Sequence, residues 1–138
     1  MSQRRLFPPA GASTWGKAAE KEYQKTVEGA LTTLGYEWNH VYPLRTEHGW
    51  RTGTTTKGWP DLTAIRGRFI LAIEMKGYDR NGRATEFTEG QKDWLGRFSH
   101  LAGGRAWVFR PTDNWAETQE MLRHPENAPR VYGWAPDD

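Results

Sequence analysis

The sequence predicts a single domain of mixed α/β class, in which helices flank a small mixed sheet. Three features support this prediction: two stretches with helical periodicity, two apolar runs joined by a glycine-containing break, and a later, nearly continuous apolar run. With 138 residues, the chain is long enough for one hydrophobic core but not for two. The expected order is therefore helix, strand, β-hairpin, helix and strand.

Composition excludes several classes of protein. The chain has no cysteine, so disulfides and thiolate zinc sites are excluded and a reducing compartment fits. Its four histidines are scattered without the spacing of a zinc enzyme, and no apolar run approaches the roughly 20 residues of a membrane span. The net charge of +2 permits a nucleic-acid partner without requiring one. We therefore expect a cytoplasmic protein with no membrane contact.

The predicted domain spans residues 16–123 and leaves a segment at each end. Residues 1–15 contain turn-forming residues without periodicity, so we expect a flexible, slightly basic arm. Residues 124–138 are expected to form an irregular tail.

A first helix is predicted from Lys17 to Leu34, and Gly35 provides its stop signal. Glu20 lies on the inward stripe of this helix, whereas Glu22 points elsewhere. Glu20 either complements the helix dipole from the first turn or reaches a carboxylate cluster, and helical phase leaves both roles open. The stripe has the 3.6-residue period and consists of Tyr23, Val27, Ala30, Leu31 and Leu34.

The next segment, 36–44, alternates enough for a strand that Pro43 ends, and a long polar loop is then predicted over 45–57. Long loops in small domains are often functional. The basic and aromatic residues of this loop suit contact with a nucleic-acid backbone, although an ordinary mobile loop is equally compatible. These residues are Arg45, Trp50, Arg51 and Lys57.

The central prediction is a β-hairpin in which 62–65 pairs with 69–73 around a two-residue turn at Gly67-Arg68. In that register Asp61 lies opposite Glu74. Directly opposed residues of an antiparallel pair have Cβ atoms roughly 4.5–5.5 Å apart. The hairpin therefore predicts two carboxylates close together at its open end.

Lys76 follows Glu74 by two residues, so the pleat places both side chains on the same face. Two acids and a lysine at one end of a sheet suit Mg²⁺, which is usually held by one or two carboxylates. The alternative is a solvated Glu–Lys pair on an exposed strand, beside an ordinary turn at Pro60-Asp61.

A second helix is predicted from about Thr88 to Ala102. Gln91 is a polar residue on its buried stripe, and the Thr88-x-x-Gln91 spacing fits a capping box. The run over 105–110 is typical of a strand covered on both faces. A short helix capped by Thr112 or Asp113 is expected to follow.

Five segments, in this order, resemble the VRR-NUC family of the PD-(D/E)XK nuclease superfamily, small versions of which occur in phages and other viruses. The resemblance covers roughly residues 17–116 and implies a restriction-endonuclease-like core. The Thr- and Gly-rich loop before Gly58 is longer than in the family pattern. The segments are Glu20-Lys21-Glu22-Tyr23-Gln24, Gly58-Trp59-Pro60-Asp61-Leu62, Glu74-Met75-Lys76-Gly77, Thr88-x-x-Gln91-x-x-Trp94-Leu95 and Trp107-Val108-Phe109-Arg110-Pro111.

The resemblance implies a Mg²⁺- or Mn²⁺-dependent endonuclease that hydrolyses DNA phosphodiester bonds without a small-molecule cofactor. Asp61, Glu74 and the carbonyl of Met75 would bind the metal. Glu20 would complete the acidic set, directly or through water. The resemblance also assigns two polar partners: Lys76 would position the water and stabilise phosphate charge, and Gln91 would support the lysine or a phosphate in place of the capping box.

The resemblance also bears on substrate and assembly. Stand-alone viral relatives look like Holliday-junction resolving enzymes, so branched DNA and a homodimer are expected. One alternative is a nucleic-acid-binding module of the same fold that does not cut, and another is a small interaction protein with a Trp-rich surface. The expected nucleic-acid contacts are Arg45, Trp50, Arg51, Lys57 and Lys92.

Overall fold

The computed structural model describes residues 17–41, 44–46, 49–51, 57–78, 83 and 86–136. Within these residues, three helices pack on a mixed five-stranded sheet, which confirms the mixed α/β class. None of the helices in these ranges is long and apolar enough to cross a membrane. The predicted arm over 1–15 lies outside the described residues.

The elements are labelled in chain order. The helices are α1 (Lys17–Thr33), α2 (Glu89–Ser99) and α3 (Trp115–Arg123), and a 3-10 helix spans Pro125–Asn127. The strands are β1 (Glu37–His40), β2 (Leu44–Thr46), β3 (Gly49–Arg51), β4 (Leu62–Arg66), β5 (Phe69–Met75), β6 (Gly104–Phe109) and β7 (Val131–Tyr132).

The main sheet has the strand order β1-β4-β5-β6-β7. β4 and β5 form the predicted hairpin, and Ile65 pairs with Ile70 as expected. Gly67 has a φ of 59° in the turn, which a residue without a Cβ adopts at little cost. β5 then runs parallel to β6 through the α2 crossover. The predicted hairpin register is therefore confirmed, and it brings Asp61 beside Glu74.

α1 confirms the first predicted helix, which ends at Thr33 before Gly35 at a φ of 86°. The predicted stripe packs on the sheet: Tyr23, Val27 and Leu31 are fully buried, and Ala30 and Leu34 are partly buried. In the first turns of the same helix, Glu20 is partly buried whereas Glu22 is exposed, in agreement with the helical phase.

Helices cover both faces of the sheet. Leu71 and Ile73 of β5 pack in the cluster that contains α1 and α3, whereas Ala72 packs in the cluster that contains α2. β6 is buried along its whole length, as predicted for a strand covered on both faces. Because successive side chains alternate between faces, Glu74 lies on the same face as Ala72, under α2.

Two predicted segments before the hairpin are different in the structure. The strand expected over 36–44 is the four-residue β1, and the polar loop expected over 45–57 contains the antiparallel pair of β2 and β3. In that pair Arg45 lies opposite Trp50. Alternation does not show where a strand ends: β1 pairs with β4 from Glu37 to His40, and one further bond joins the Val41 N–H to the Asp61 carbonyl at 3.0 Å.

The C-terminal part of the chain is also more ordered than predicted. The segment after His124 contains the 3-10 helix and β7, and β7 adds a parallel strand beside β6. The buried Arg105 side chain explains part of this order, because its Nε donates to the Pro125 carbonyl at 3.0 Å. α3 is capped by Asn114 rather than by Thr112 or Asp113, since Asn114 Oδ1 accepts from two main-chain N–H groups of its first turn.

Candidate active site

Asp61 and Glu74 form a carboxylate pair at the open end of the β4–β5 hairpin. Asp61 Oδ2 accepts a hydrogen bond from the main-chain N–H of Met75 at 2.8 Å. Glu74 is 3% exposed, and its Oε2 accepts from Gln91 Nε2 at 3.0 Å. The other oxygen of Glu74, Oε1, is buried and has no hydrogen-bond partner among the described residues. The pair therefore contains a buried carboxyl oxygen that has no hydrogen-bond partner in the described part of the chain.

The electrostatic environment raises the pKa of both carboxyl groups. For Glu74, burial is the largest cause, and the neighbouring charge of Asp61 raises the pKa further. For Asp61, burial raises the pKa, while the Met75 N–H and the positive charge of Lys76 lower it. Two neighbouring carboxyl groups that are both shielded from water resist double ionisation. A proton or a cation is needed before the pair is stable.

Lys76 is held close to the pair by the sheet and by a ring. Its main-chain N–H donates to the Phe109 carbonyl at 3.0 Å, which extends the β5–β6 ladder by one bond. Its Nζ donates to the Glu86 carbonyl at 3.3 Å and lies 5.2 Å from the centre of the Phe87 ring. Because its charge lowers the pKa of Asp61 and of Glu74, the ammonium group acts on both acids.

Gln91 joins the start of α2 to the acid pair. Its Oε1 accepts from the Thr88 N–H at 3.0 Å, and its own N–H donates to Thr88 Oγ1 at 3.1 Å, so the capping box is present. The same amide uses Nε2 to donate to Glu74, because an amide group carries an acceptor and two donors. The two roles considered from the sequence therefore coexist, and the contact to the site goes to Glu74.

The segment before Asp61 is fixed against the same helix. Gly58 has a φ of 86°, and a Cβ at this position would lie 2.4 Å from the main-chain carbon of Gly90. Such an approach requires glycine. One residue further on, the Trp59 ring packs edge-on against Trp94 with centroids 4.9 Å apart. α2 therefore positions both the aspartate side and the glutamate side of the pair.

The structure does not place Glu20 in a three-acid cluster. Within the described ranges, no group of three or more histidine, aspartate or glutamate side chains is arranged to hold a metal ion. Glu20 lies in the first turn of α1, which covers the opposite face of the sheet from Glu74. The described residues therefore bring the acids together as a pair, and the role of Glu20 as a third acid stays a prediction.

The five predicted nucleic-acid contacts are only partly described. Lys57 is exposed just before the hairpin, and Lys92 is partly buried on α2. The other three, Arg45, Trp50 and Arg51, belong to β2 and β3, and their side chains lie outside the described part of the chain. Contact with nucleic acid stays a prediction for all five.

Two residues that lie near Asp61 or Lys76 are not predicted from the sequence to belong to the site. His40 ends β1, its Nδ1 lies 3.0 Å from Glu28 Oε2, and its charge lowers the pKa of Asp61. Arg110 follows β6 and lies beside the Phe87 ring that Lys76 contacts. Both positions depend on which strands are neighbours, and that information is absent from hydrophobic periodicity.

The fold and the site together define a class: a mixed α/β protein with a buried glutamate, a partly buried aspartate and a lysine at one end of its sheet. Comparisons of the chain with protein-family models, with curated proteins and with solved structures found no match. The geometry of the site and the sequence resemblance are therefore the basis for a functional proposal.

Proposed function

We propose that this protein is a divalent-metal-dependent nuclease that hydrolyses phosphodiester bonds in DNA. The observation that carries the proposal is the pair of the partly buried Asp61 and the buried Glu74, in which one glutamate oxygen has no donor among the described residues. A buried carboxylate of this kind is costly to the fold unless a proton or a cation neutralises it. A catalytic role would explain why the fold contains this oxygen without a hydrogen-bond donor.

The donor set fits Mg²⁺ or Mn²⁺. Such hard cations prefer oxygen ligands, and Mg²⁺ is usually held by one or two carboxylates while water and phosphate oxygens complete its shell. A cation at the pair would replace the donor that Glu74 Oε1 lacks. It would also offset the burial that raises the pKa of both carboxyl groups and the repulsion by Asp61 that raises the pKa of Glu74 further. The carbonyl of Met75 and the carboxylate of Glu20 are further proposed ligands, as the family resemblance implies.

When bound, the metal ion lowers the pKa of a coordinated water and stabilises negative charge on the phosphate. The protein positions the ligands: the Met75 N–H orients Asp61, and the Gln91 amide orients Glu74. Lys76 adds a compact positive charge on the same face, which favours binding of an anionic phosphate and the charge that develops during hydrolysis.

The order of the elements and the confirmed hairpin register support the proposed relationship to VRR-NUC nucleases and a restriction-endonuclease-like core. Branched DNA as the substrate and a homodimer as the active assembly follow from this relationship. A non-cleaving DNA-binding module of the same fold is the alternative, although Asp61, Glu74 and Lys76 are all present.

The test is cleavage of a labelled four-way junction and a matched linear duplex, with Mg²⁺, with Mn²⁺ and with EDTA. Wild type, Lys76→Ala and Lys25→Ala would be assayed together. Lys25 is exposed on α1 and provides the same change of charge away from the site. We expect metal-dependent cutting by wild type and Lys25→Ala, and none by folded Lys76→Ala. Equal cutting by all three, or DNA binding without cutting by any, would contradict the proposal.

A further inference from the structure

Arg110 extends beyond β6 on the same side of the sheet as the acid pair. Lys76 donates its main-chain N–H to the Phe109 carbonyl, so Arg110 is the residue beside Lys76 on the neighbouring strand. Val108 has the same parity as Arg110 and packs in the cluster under α2. Side chains alternate along a strand, so the Arg110 side chain lies on the face that carries Glu74 and Lys76.

Two aromatic rings hold the guanidinium group. Its Cζ lies 6.0 Å from the centre of the Tyr78 ring and 5.9 Å from the centre of the Phe87 ring. The Tyr78 hydroxyl is hydrogen-bonded to Thr112 Oγ1 at 2.7 Å, which fixes that ring. Because Phe87 also contacts Lys76 Nζ, one ring supports two cations that repel each other. Packing alone does not require two positive charges at this position.

One nitrogen of the Arg110 guanidinium group has no hydrogen-bond partner within the described part of the chain. This nitrogen, Nη1, is buried. The carboxylate of Asp113 accepts a hydrogen bond from the main-chain N–H of Arg110 at 2.9 Å, and the charge of Arg110 lowers the pKa of Asp113 against the effect of burial, so this acid offsets part of the guanidinium charge. Arg105 on the same sheet is different, because its Nε and Nη1 donate to the carbonyls of Pro125 and Gly104. Two nitrogens of Arg105 thus have main-chain partners, whereas Arg110 Nη1 has none among the described residues.

We propose that Arg110 binds a backbone phosphate of the DNA, next to the phosphate that is cleaved at the Asp61–Glu74 pair. This inference rests on the proposed nuclease function, because it takes the substrate to be DNA at that pair. Guanidinium groups match phosphate oxygens with parallel N–H bonds, and a group held between rings is oriented before the ligand arrives. Lys76 then serves the reacting phosphate, and Arg110 fixes the position of the strand.

The test is the salt dependence of DNA binding in EDTA, where no cleavage occurs, with a fluorescent duplex and a four-way junction as probes. Wild type, Arg110→Gln, Arg110→Lys and Arg123→Gln would be titrated at several salt concentrations. Arg123 is the matched control: it is an exposed arginine paired with Glu120, and its carbonyl accepts from Arg66 at the turn end of the hairpin, away from the acid pair.

Loss of one phosphate contact should reduce the slope of log K against log salt by about 0.9 on duplex DNA. We expect this reduction in Arg110→Gln and not in Arg123→Gln. Arg110→Lys should keep the slope and bind more weakly, because the charge remains while the paired geometry is lost. In cleavage assays, Arg110→Gln should raise KM and leave kcat nearly unchanged. Melting temperatures of all variants would be measured beside the titrations.

Equal slopes in Arg110→Gln and Arg123→Gln, or wild-type affinity in Arg110→Lys, would overturn the assignment of Arg110. Those results would not contradict the proposal that the protein cleaves DNA with a metal ion. Conversely, a reduced slope in Arg110→Gln with no metal-dependent cleavage by wild type would support the phosphate contact and reject the nuclease. The binding titration and the cleavage assay therefore separate the two failures.

Discussion

The two ends of the β4–β5 hairpin differ in how their charged side chains are hydrogen-bonded. At the turn end, Arg66 donates to the carbonyls of Leu34 and Arg123 at 3.0 and 2.8 Å, and its guanidinium lies 4.5 Å from the centre of the Tyr36 ring. At the open end, Glu74 is buried beside another acid, and one of its oxygens has no donor among the described residues.

This difference separates a charged residue that stabilises the fold from charged residues that we propose bind a metal ion and substrate. A charged group that stabilises a fold has its partners within the fold, as the turn-end arginine does. A buried charge without enough partners lowers stability, and its partner is expected to come from outside. At the open end, that external partner would be a metal ion and a phosphate.

The largest effect is expected from Glu74→Gln, which removes a negative charge and keeps the shape of the side chain. Cleavage should fall by at least about 10²-fold, because the proposed metal ion loses a charged ligand and no longer stabilises the charge that develops on the phosphate. In EDTA at pH 8, the free energy of unfolding should rise by about 1 kcal/mol, because a neutral amide replaces an acid that burial and the neighbouring Asp61 make costly to ionise. Quenched-flow cleavage and urea denaturation measure the two quantities. A variant that cuts normally, or unfolds more easily, would break the contrast between the two ends.

The matching change at the turn end is Arg66→Met, which keeps much of the side-chain volume. It should lower the free energy of unfolding by about 1–2 kcal/mol, because two carbonyls lose a donor. Cleavage should stay at the wild-type rate, since Arg66 lies at the opposite end of the hairpin from Asp61. Urea denaturation followed by the junction assay checks both. A large loss of activity in a folded Arg66→Met protein would mean that the two ends are coupled.

Gln91 and Thr88 allow the cap of α2 to be separated from the contact to Glu74. Thr88→Ala and Gln91→Ala should each lower the free energy of unfolding by about 1 kcal/mol, because both remove the capping box. Only Gln91→Ala also frees Glu74, so only that variant should weaken metal binding, by about 10-fold. Isothermal titration calorimetry with Mn²⁺ compares them. Equal losses of affinity in the two variants would show that the helix start, and not the amide contact, controls the site.

A smaller effect is expected in the pH dependence of the metal-free protein. The pKa of Glu74 is raised above its ordinary value of 4.5, so the folded state binds the proton more tightly than the unfolded state. The stability that this tighter proton binding provides is fully present below pH 4.5. It is lost as the pH rises through the raised pKa of Glu74. The free energy of unfolding in EDTA should therefore fall above pH 5, by at most about 1.4 kcal/mol per pH unit for one proton. Glu74→Gln should give a flatter profile, and identical profiles would argue against the raised pKa.

The part of the site that local rules determine could be predicted from the sequence. A two-residue turn at Gly67-Arg68 fixes the hairpin register, and the period of two then places Asp61, Glu74 and Lys76 at one end. The spacing of Thr88 and Gln91 likewise identifies the capping box.

The part that depends on strand order could not be predicted. His40 lies near Asp61 because β1 pairs with β4, and Arg110 lies near Lys76 because β6 pairs with β5. The hydrophobic periodicity of the sequence does not show which strands lie side by side in the sheet. The same limit explains β7, whose two residues are too few for a recognisable strand pattern and are ordered beside β6. Arg105 contributes through a contact across 20 residues of chain.

The most direct test of the central claim is the melting temperature of wild type and Glu74→Gln, measured at pH 8 with EDTA, Mg²⁺ and Mn²⁺. A ligand that binds only the folded state at 100 times its Kd adds about 2.7 kcal/mol to stability. We predict that the metals raise the melting temperature of wild type and leave that of Glu74→Gln unchanged. An equal rise in both proteins, or no rise in wild type, would show that the acid pair does not hold a metal.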